Sequence, residues 1–210
     1  MRLKKIKIFL FCFCFISEIW AGITLSQKLQ EHYQTLQFWS ADFEQQTYVE
    51  ILDKKIKKQG RIFMKKSGEM RIEYQGHGSK TYISNGKKVW IYSPDLNQTE
   101  VFDQSKLLSK EAITFLNGLG DLEKDFATRS FNPVKDPSFR FDIPKELQYL
   151  ELIPRKKSSV ISKILLGIEP VSSLVTEATL SNVSGNVTRY VFKNIDIKTN
   201  PSQDLFTLEE

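Results

Sequence analysis

Two hydrophobic periods run along the chain, and the two-residue period dominates. Residues 38–49 place Trp39, Ala41 and Phe43 on one face and Ser40, Asp42 and Glu44 on the other, the pattern of a half-buried strand. Ile62 and Met64 share a face within 61–65, and Met70, Ile72 and Tyr74 alternate with Arg71 and Glu73. The densest stretch is 80–102, KTYISNGKKVWIYSPDLNQTEVF, which predicts three successive antiparallel strands at 81–84, 88–93 and 99–102. Asn85-Gly86 predicts a type I′ turn, because both central residues need positive φ and Asn and Gly tolerate it best. Pro94-Asp95-Leu96-Asn97 makes the next turn, with Pro presetting φ at its start. In the middle strand both faces are apolar: Val89 and Ile91 point one way, Trp90 and Tyr92 the other. Such a strand wants cover on both sides.

Helical spacing enters twice. In residues 24–37, Leu25, Leu29, Tyr33 and Leu36 form one stripe, and Thr24 with Gln27 three residues on predicts a capping box. This helix is expected to pack on the sheet and to help close one end of an apolar pocket. Residues 103–125 break the strand pattern. Ser109 can cap a short helix carrying Ala112, Ile113, Phe115 and Leu116, with Leu119 beyond, and Gly118 and Gly120 end it. Residues 121–125 predict another helical turn. Glycine costs about 1 kcal/mol in a helix, so the segment reads as a cover that opens more easily than the sheet; a fixed crossover helix is the alternative.

The remaining stretches return to strands. Lys54-Lys55-Ile56-Lys57-Lys58 reads as a solvated hairpin tip, with steering toward anionic headgroups or an acidic partner as the alternative. From Phe126 strands resume, with a loop around Pro133, Pro137 and Pro144 and further strands at 147–153, 164–168, 174–180 and 187–195. A helical turn is expected at 158–163, a turn at Ser184-Gly185-Asn186, and an edge strand at 205–208. The fold class is mainly β: about ten to eleven antiparallel strands in a twisted sheet, which curls, covered by the N-terminal helix and the short helices of the insert. No repeat or second domain interrupts residues 22–210.

Residues 1–21 stand apart. Arg2, Lys4, Lys5 and Lys7 precede a short apolar run at 8–16, and Ala21 suits cleavage, as in a secretory signal peptide. The run is too short to span a bilayer, which takes about 20 apolar residues. Ile19 is not ideal at the other recognition position, so the cut can lie a residue or two away. Removing the leader takes four basic groups and Glu18, leaving 26 basic and 24 acidic residues, a net of +2 in place of +5. Charge therefore gives no support for a nucleic-acid partner. Both cysteines, Cys12 and Cys14, lie in the leader, so the exported protein needs no disulfide. Phe11 precedes Cys12 where lipidation requires a small residue, so a soluble exported product is expected.

Candidate chemistry is sparse. The only histidines, His32 and His77, offer little for a metal site. His77 sits beside Ser79 in a glycine-rich loop, but no G-x-S-x-G elbow exists, and QGHGSK lacks phosphate-loop spacing. No catalytic residue, metal or cofactor is expected, and the chain is not read as an enzyme.

Five stretches carry a resemblance. Asn85-Gly86-Lys87-Lys88-Val89-Trp90-Ile91-Tyr92-Ser93-Pro94 is similar to the "DGK-x-LW-x-Y-x-P" wording of the LolA family, periplasmic carriers of outer-membrane lipoproteins. Ser40-Ala41-Asp42-Phe43-Glu44-Gln45 resembles that family's opening strand, and residues 60–66 its second. Leu150-Glu151-Leu152-Ile153-Pro154-Arg155 resembles its "L-x-L-x-P-K", and residues 185–192 with Phe206-Thr207-Leu208 give a weaker match. The resemblance implies an incomplete, or half, antiparallel β-barrel with a helical lid. Its implied function is to take acylated lipoproteins from an inner-membrane ATP-driven exporter, shield their acyl chains and deliver them to an outer-membrane acceptor, acting as a monomer. Carriage of another lipid, or a lipid- or lipoprotein-binding regulatory role, is the alternative. The expected lipid-binding wall is Trp39, Phe43, Ile62, Met64, Ile72, Tyr74, Trp90 and Tyr92, with Ile113, Phe115, Leu116 and Leu119 from the lid.

The sequence departs from the family in three places. Where the family has an Arg-Pro pair after its second strand, and the Arg holds the empty lid closed, Lys66 and Ser67 stand here. Lysine has three donors on a flexible stem, not a planar fork of five, so Lys66 is the expected, weaker lid latch. Asn182 replaces the family's Asp before the late Gly-Asn, and the sequence stops at Glu210 without the tail some members carry. Both bear on partner handling.

Overall fold

The computed structural model describes residues 23–104, 122–132, 141–142, 144–156, 158 and 160–208. The leader and the predicted lid helix lie outside these residues. Eleven strands are described: β1 Phe38–Val49, β2 Lys54–Lys65, β3 Glu69–Tyr74, β4 Thr81–Asn85, β5 Lys88–Ser93, β6 Gln98–Asp103, β7 Phe126–Phe131, β8 Gln148–Pro154, β9 Ile161–Ile168, β10 Val175–Asn182 and β11 Val187–Asp196. They form one antiparallel sheet of order β6-β5-β4-β3-β2-β1-β11-β10-β9-β8-β7. The chain steps outward from β1 to the β6 edge, restarts at the β7 edge, and steps back until β11 pairs with β1. Among the described residues the sheet does not close: β6 and β7 are its edges. Among the described residues no helix is long and apolar enough to cross a membrane.

Helix α1, Leu25–Thr35, starts as its sequence dictates. The Thr24 hydroxyl accepts from the Gln27 amide at 3.2 Å, and Gln27 Oε1 accepts from the Thr24 amide at 2.9 Å. Its buried stripe, Leu29 and Tyr33, packs with Leu150, Leu152, Ile164 and Leu166. The Tyr33 hydroxyl accepts the Val175 amide at 3.0 Å, which pins α1 to the start of β10. A second short helix, α2 at Leu122–Asp125, buries Leu122 in the same cluster.

The opposite face is covered by other means. A 3-10 turn at Gln203–Phe206 lies across β3 and β4, with Phe206 fully buried and Arg71 Nη1 donating to the Leu205 carbonyl at 3.2 Å. Further along this face, Glu177 is buried and pairs with Arg189, while the Tyr149 hydroxyl donates to it at 3.4 Å. Glu151, also buried, pairs with Arg129 and, at 3.5 Å, with Lys163.

Four local expectations are corrected. Lys54–Lys58 is not a turn but the start of β2, paired with β1 from Val49↔Lys54 onward; the turn is the preceding 3-10 segment Glu50–Leu52, closed by Asp53 at φ 46. The β4–β5 connection is Gly86-Lys87 rather than Asn85-Gly86. Only Gly86 there has positive φ, at 85, which is the II′ arrangement, and Asn85 Oδ1 instead accepts from the amides of Lys87 and Lys88. Residues 161–163 belong to β9, because the Ser158 hydroxyl takes the Val160 and Ile161 amides and launches a strand, not a helical turn. Residues 205–208 form no edge strand: the chain crosses the sheet face there as the 3-10 turn.

Gly60 in β2 allows the sheet to pack closely. A Cβ there would lie 2.0 Å from the Glu73 carbonyl oxygen and 2.8 Å from the Phe43 ring. Gly60→Ala is expected to destabilise the fold by about 2–3 kcal/mol, through overpacking against backbone. Urea unfolding checks this, and an unchanged midpoint would show that the strands yield.

Candidate functional site: an aromatic apolar face beside α1

The pairing register assembles the site. Trp39↔Met64, Ala41↔Ile62 and Phe43↔Gly60 align β1 with β2. Ile62↔Ile72 and Met64↔Met70 extend the row to β3, and Ile72↔Tyr82 and Tyr82↔Ile91 carry it to β5. Opposite residues point to one face, so the row continues the surface that α1 covers. Ala41, Phe43, Ile62, Met64, Met70, Val89 and Ile91 are its buried centre, bordered by Trp39, Ile72, Tyr74, Tyr82, Tyr190, Phe192 and Ile195. Phe192 also touches the cluster beneath α1, so the two apolar regions are continuous.

An unbroken series of rings crosses this face. Trp39 meets Phe192 edge-on at 5.7 Å between centroids, and Phe192 stacks on Tyr190 at 6.3 Å and 7°. Tyr190 meets Phe43 at 6.0 Å, Phe43 meets Tyr74 at 5.3 Å, and Tyr74 meets Tyr82 at 5.9 Å, all near edge-to-face. Such geometry suits the ring quadrupoles. At the Tyr74 end the face gains polar groups: the Tyr74 hydroxyl donates to Gln45 Oε1 at 2.8 Å, and the Lys58 ammonium lies 5.3 Å from the Tyr74 ring centroid.

Burial dominates the titration of three phenols, Tyr33, Tyr74 and Tyr190. It raises Tyr74 and Tyr190 above the ordinary tyrosine value, and it pushes Tyr33, under α1, up to about 12. All three stay neutral at physiological pH. Unfolded tyrosine ionises near 10, so the stability these phenols confer is fully present below pH 10 and is lost as pH rises through their folded values. A titration followed at 295 nm should show these phenolates appearing together with loss of structure above pH 10. Phenolate formation well before unfolding would contradict the burial.

Six of the expected wall residues come together: Trp39, Phe43, Ile62, Met64, Ile72 and Tyr74. Trp90 and Tyr92 do not join them. Trp90 pairs with Ile83, one residue out of phase with the Tyr82↔Ile91 row, so both rings sit on the opposite face, half-buried. Ile113, Phe115, Leu116 and Leu119 lie outside the described residues. Met70, Val89, Ile91, Tyr82, Tyr190 and Phe192 belong to the face and were not singled out from the sequence. Alternation within 187–195 puts Tyr190 and Phe192 together, but only the β1–β11 pairing, Phe43↔Phe192, brings them to this face.

Lys66 sits at the mouth between α1 and the sheet. Its Nζ donates to the Gln34 carbonyl at 2.6 Å, and its amide donates to the Gln37 carbonyl at 2.8 Å. Gln34 lies in the last turn of α1, where carbonyls lack helical partners and the dipole favours a cation. Beside this bond lies a cleft of about 230 Å³, open mouth included, lined by Tyr33, Leu36, Phe38, Trp39, Met64, Lys65 and Lys66. The space it encloses is only about 10 Å³, room for one water at most, far below the roughly 300–1,000 Å³ of ligand pockets.

The remaining candidates are structural or solvated. His77 faces Asp95, with Nδ1 3.1 Å from Oδ2, and is almost fully exposed. Asn182 organises the β10–β11 turn, its Oδ1 accepting from the amides of Ser184 and Asn186. Among the described residues no group of three or more His, Cys, Asp or Glu could hold a metal ion.

Comparison with known proteins agrees with this architecture. The profile of the family described as outer membrane lipoprotein carrier protein LolA matches residues 34–209. The chain is 26% identical to the outer-membrane lipoprotein carrier protein of Methylobacillus flagellatus over 65% of this chain and 61% of that one. It is 23% identical to the protein of the same name from Nitrosospira multiformis, over 97% of this chain and 92% of that one. A conserved protein from Thermus thermophilus, whose crystal structure carries no functional name, shares the fold. It has a TM-score of 0.54 and 12% identity, over 89% of this chain and 96% of that one. The extent of the profile match decides the assignment: this chain belongs to the LolA family of outer membrane lipoprotein carrier proteins.

Proposed function

We propose that this protein is a periplasmic carrier that accepts acylated lipoproteins released from the inner membrane, shields their acyl chains and delivers them to an outer-membrane acceptor. The observation that carries this reading is the continuous aromatic and aliphatic face beside α1, built on an open sheet. At about 0.8 kcal/mol per methylene, exposing about three acyl chains to water would cost tens of kcal/mol. A wall of rings and flexible methionines grips such chains without demanding one fit.

The cleft at the α1 mouth is too small for that cargo, so loading requires α1 to part from the sheet. Lys66 adds to the resistance of the buried α1 stripe and the Tyr33–Val175 bond, through its own bond to the Gln34 carbonyl. The bond is exposed and is worth about 1 kcal/mol or less, a light latch. Lys66→Leu should leave the open, loaded form favoured by up to about fivefold. Lipoprotein should then accumulate on the carrier and pass on more slowly. Unchanged loading and release would remove the latch.

Binding is tested with an apolar fluorophore and two competing peptides of one sequence, one triacylated and one bare. The acylated peptide should displace the probe and the bare one should not. Displacement by neither would exclude the proposed cargo, and displacement by free fatty acid alone would favour carriage of another lipid.

A further inference from the structure

The β1–β2 hairpin runs past its neighbour. β3 pairs with β2 only as far as Gly60↔Tyr74, followed by one bond from the Gln75 amide to the Gln59 carbonyl. Among the described residues, 54–58 pair as a strand with β1 alone, and the Lys55 ammonium lies 5.7 Å from the Phe141 ring centroid. The projecting tip carries Ile51, 91% exposed, and Leu52, 58% exposed. Lys54, Lys55, Lys57 and Lys58 follow, all exposed, against only Glu50 and Asp53. Asp53 is engaged by the Tyr48 hydroxyl at 2.7 Å. The adjoining β10–β11 turn is tied to the tip by the Glu50 amide, which donates to Asn186 Oδ1 at 3.0 Å. That turn adds Val183, 58% exposed.

Lysines on a strand segment paired on one side have one sufficient explanation, protection of an open edge against pairing with another chain. That explanation covers residues 54–58. It does not cover Ile51 and Leu52, which lie beyond the paired segment in a 3-10 turn, where polar residues serve as well. An apolar tip backed by a ring of lysines is complementary to one surface in particular: headgroups carrying negative charge over hydrocarbon.

We infer that the β1–β2 hairpin tip docks this protein on anionic lipid bilayers, with Ile51 and Leu52 entering the headgroup–acyl boundary and Lys54 and Lys57 facing the charged headgroups. Ile51, Leu52, Lys54 and Lys57 lie outside the aromatic face, which Lys58 borders at the Tyr74 ring, so the variants that test docking leave the cargo face intact. Each lysine near such a surface contributes about fivefold in partitioning, falling off within a Debye length.

The test uses the mature protein and sedimentation with large unilamellar vesicles. One set contains phosphatidylglycerol and phosphatidylethanolamine, the other phosphatidylcholine alone. The protein should bind the anionic vesicles, bind the neutral ones at least tenfold more weakly, and lose binding as salt is raised. Ile51→Asp with Leu52→Asp, and separately Lys54→Glu with Lys57→Glu, should each reduce anionic binding at least tenfold. Circular dichroism and urea midpoints should be unchanged, since every altered side chain is exposed. A Leu52→Trp variant should shift its emission to the blue on anionic vesicles. Absence of binding at low salt, or full binding by both double variants, would overturn the inference, and the second result would place the contact elsewhere on the molecule.

Discussion

Phe43→Ala is expected to cost about 3–5 kcal/mol of stability, the range for removing a buried ring that leaves a cavity. Phe43 is 3% exposed and lies between Tyr74 and Tyr190 in the run of rings, so its loss breaks the row into two pieces. Its ring also rests over Gly60, where no side chain can move in to fill the space. Apolar-probe affinity should fall at the same time, measured at a temperature where the variant remains folded. Phe43→Leu should restore much of the stability and only part of the probe affinity, because volume recovers but ring contacts do not. Equal affinity for all three proteins would mean that the face is core and not binding surface.

Glu177→Ala should destabilise the fold by about 3–5 kcal/mol, because it leaves a buried cation without its partner. Glu177 and Arg189 side chains are 6% and 12% exposed, and the Tyr149 hydroxyl is also directed at the carboxylate. Replacing both partners together, Glu177→Met with Arg189→Met, should recover most of the loss, since apolar pairs of similar volume commonly match buried ion pairs. Urea midpoints of the three proteins check the cycle. A single variant losing less than about 1 kcal/mol would show that Arg189 finds solvent when its partner is gone.

Most of the sheet was legible in the chain. β1 and β5 have the predicted bounds: alternation marks β1, and Gly86 and Pro94 frame β5. The capping box at Thr24 needed only the spacing to Gln27. The misreadings share a cause. Lys54–Lys58 has the charge of a solvated turn, but a strand segment paired on one side is also a place for lysine. Residues 205–208 carry strand-like composition, but Phe206 is buried by crossing a face, not by joining an edge.

The site was legible only in part, for a related reason. Alternation says which residues share a face within a strand, not which face meets the next strand's face. Trp90 and Tyr92 are as aromatic as Tyr74, yet the β4–β5 register places Val89 and Ile91, not them, in line with Ile72. Tyr190 and Phe192 join Phe43 across 147 and 149 residues of sequence, a pairing fixed by the return of β11 to β1. Local pattern carries no information about that closure.

The central claim is carriage, and lipoprotein release tests it most directly. Purified mature protein is added to spheroplasts whose outer-membrane-type lipoproteins remain on the inner membrane, and the supernatant is examined for complexes. The account predicts that lipoproteins leave the membrane as soluble one-to-one complexes with the protein, and that Phe43→Ala, tested below its melting temperature, releases far less. Lipoproteins that stay on the membrane with the wild-type protein present, while the protein still binds an apolar probe, would contradict it.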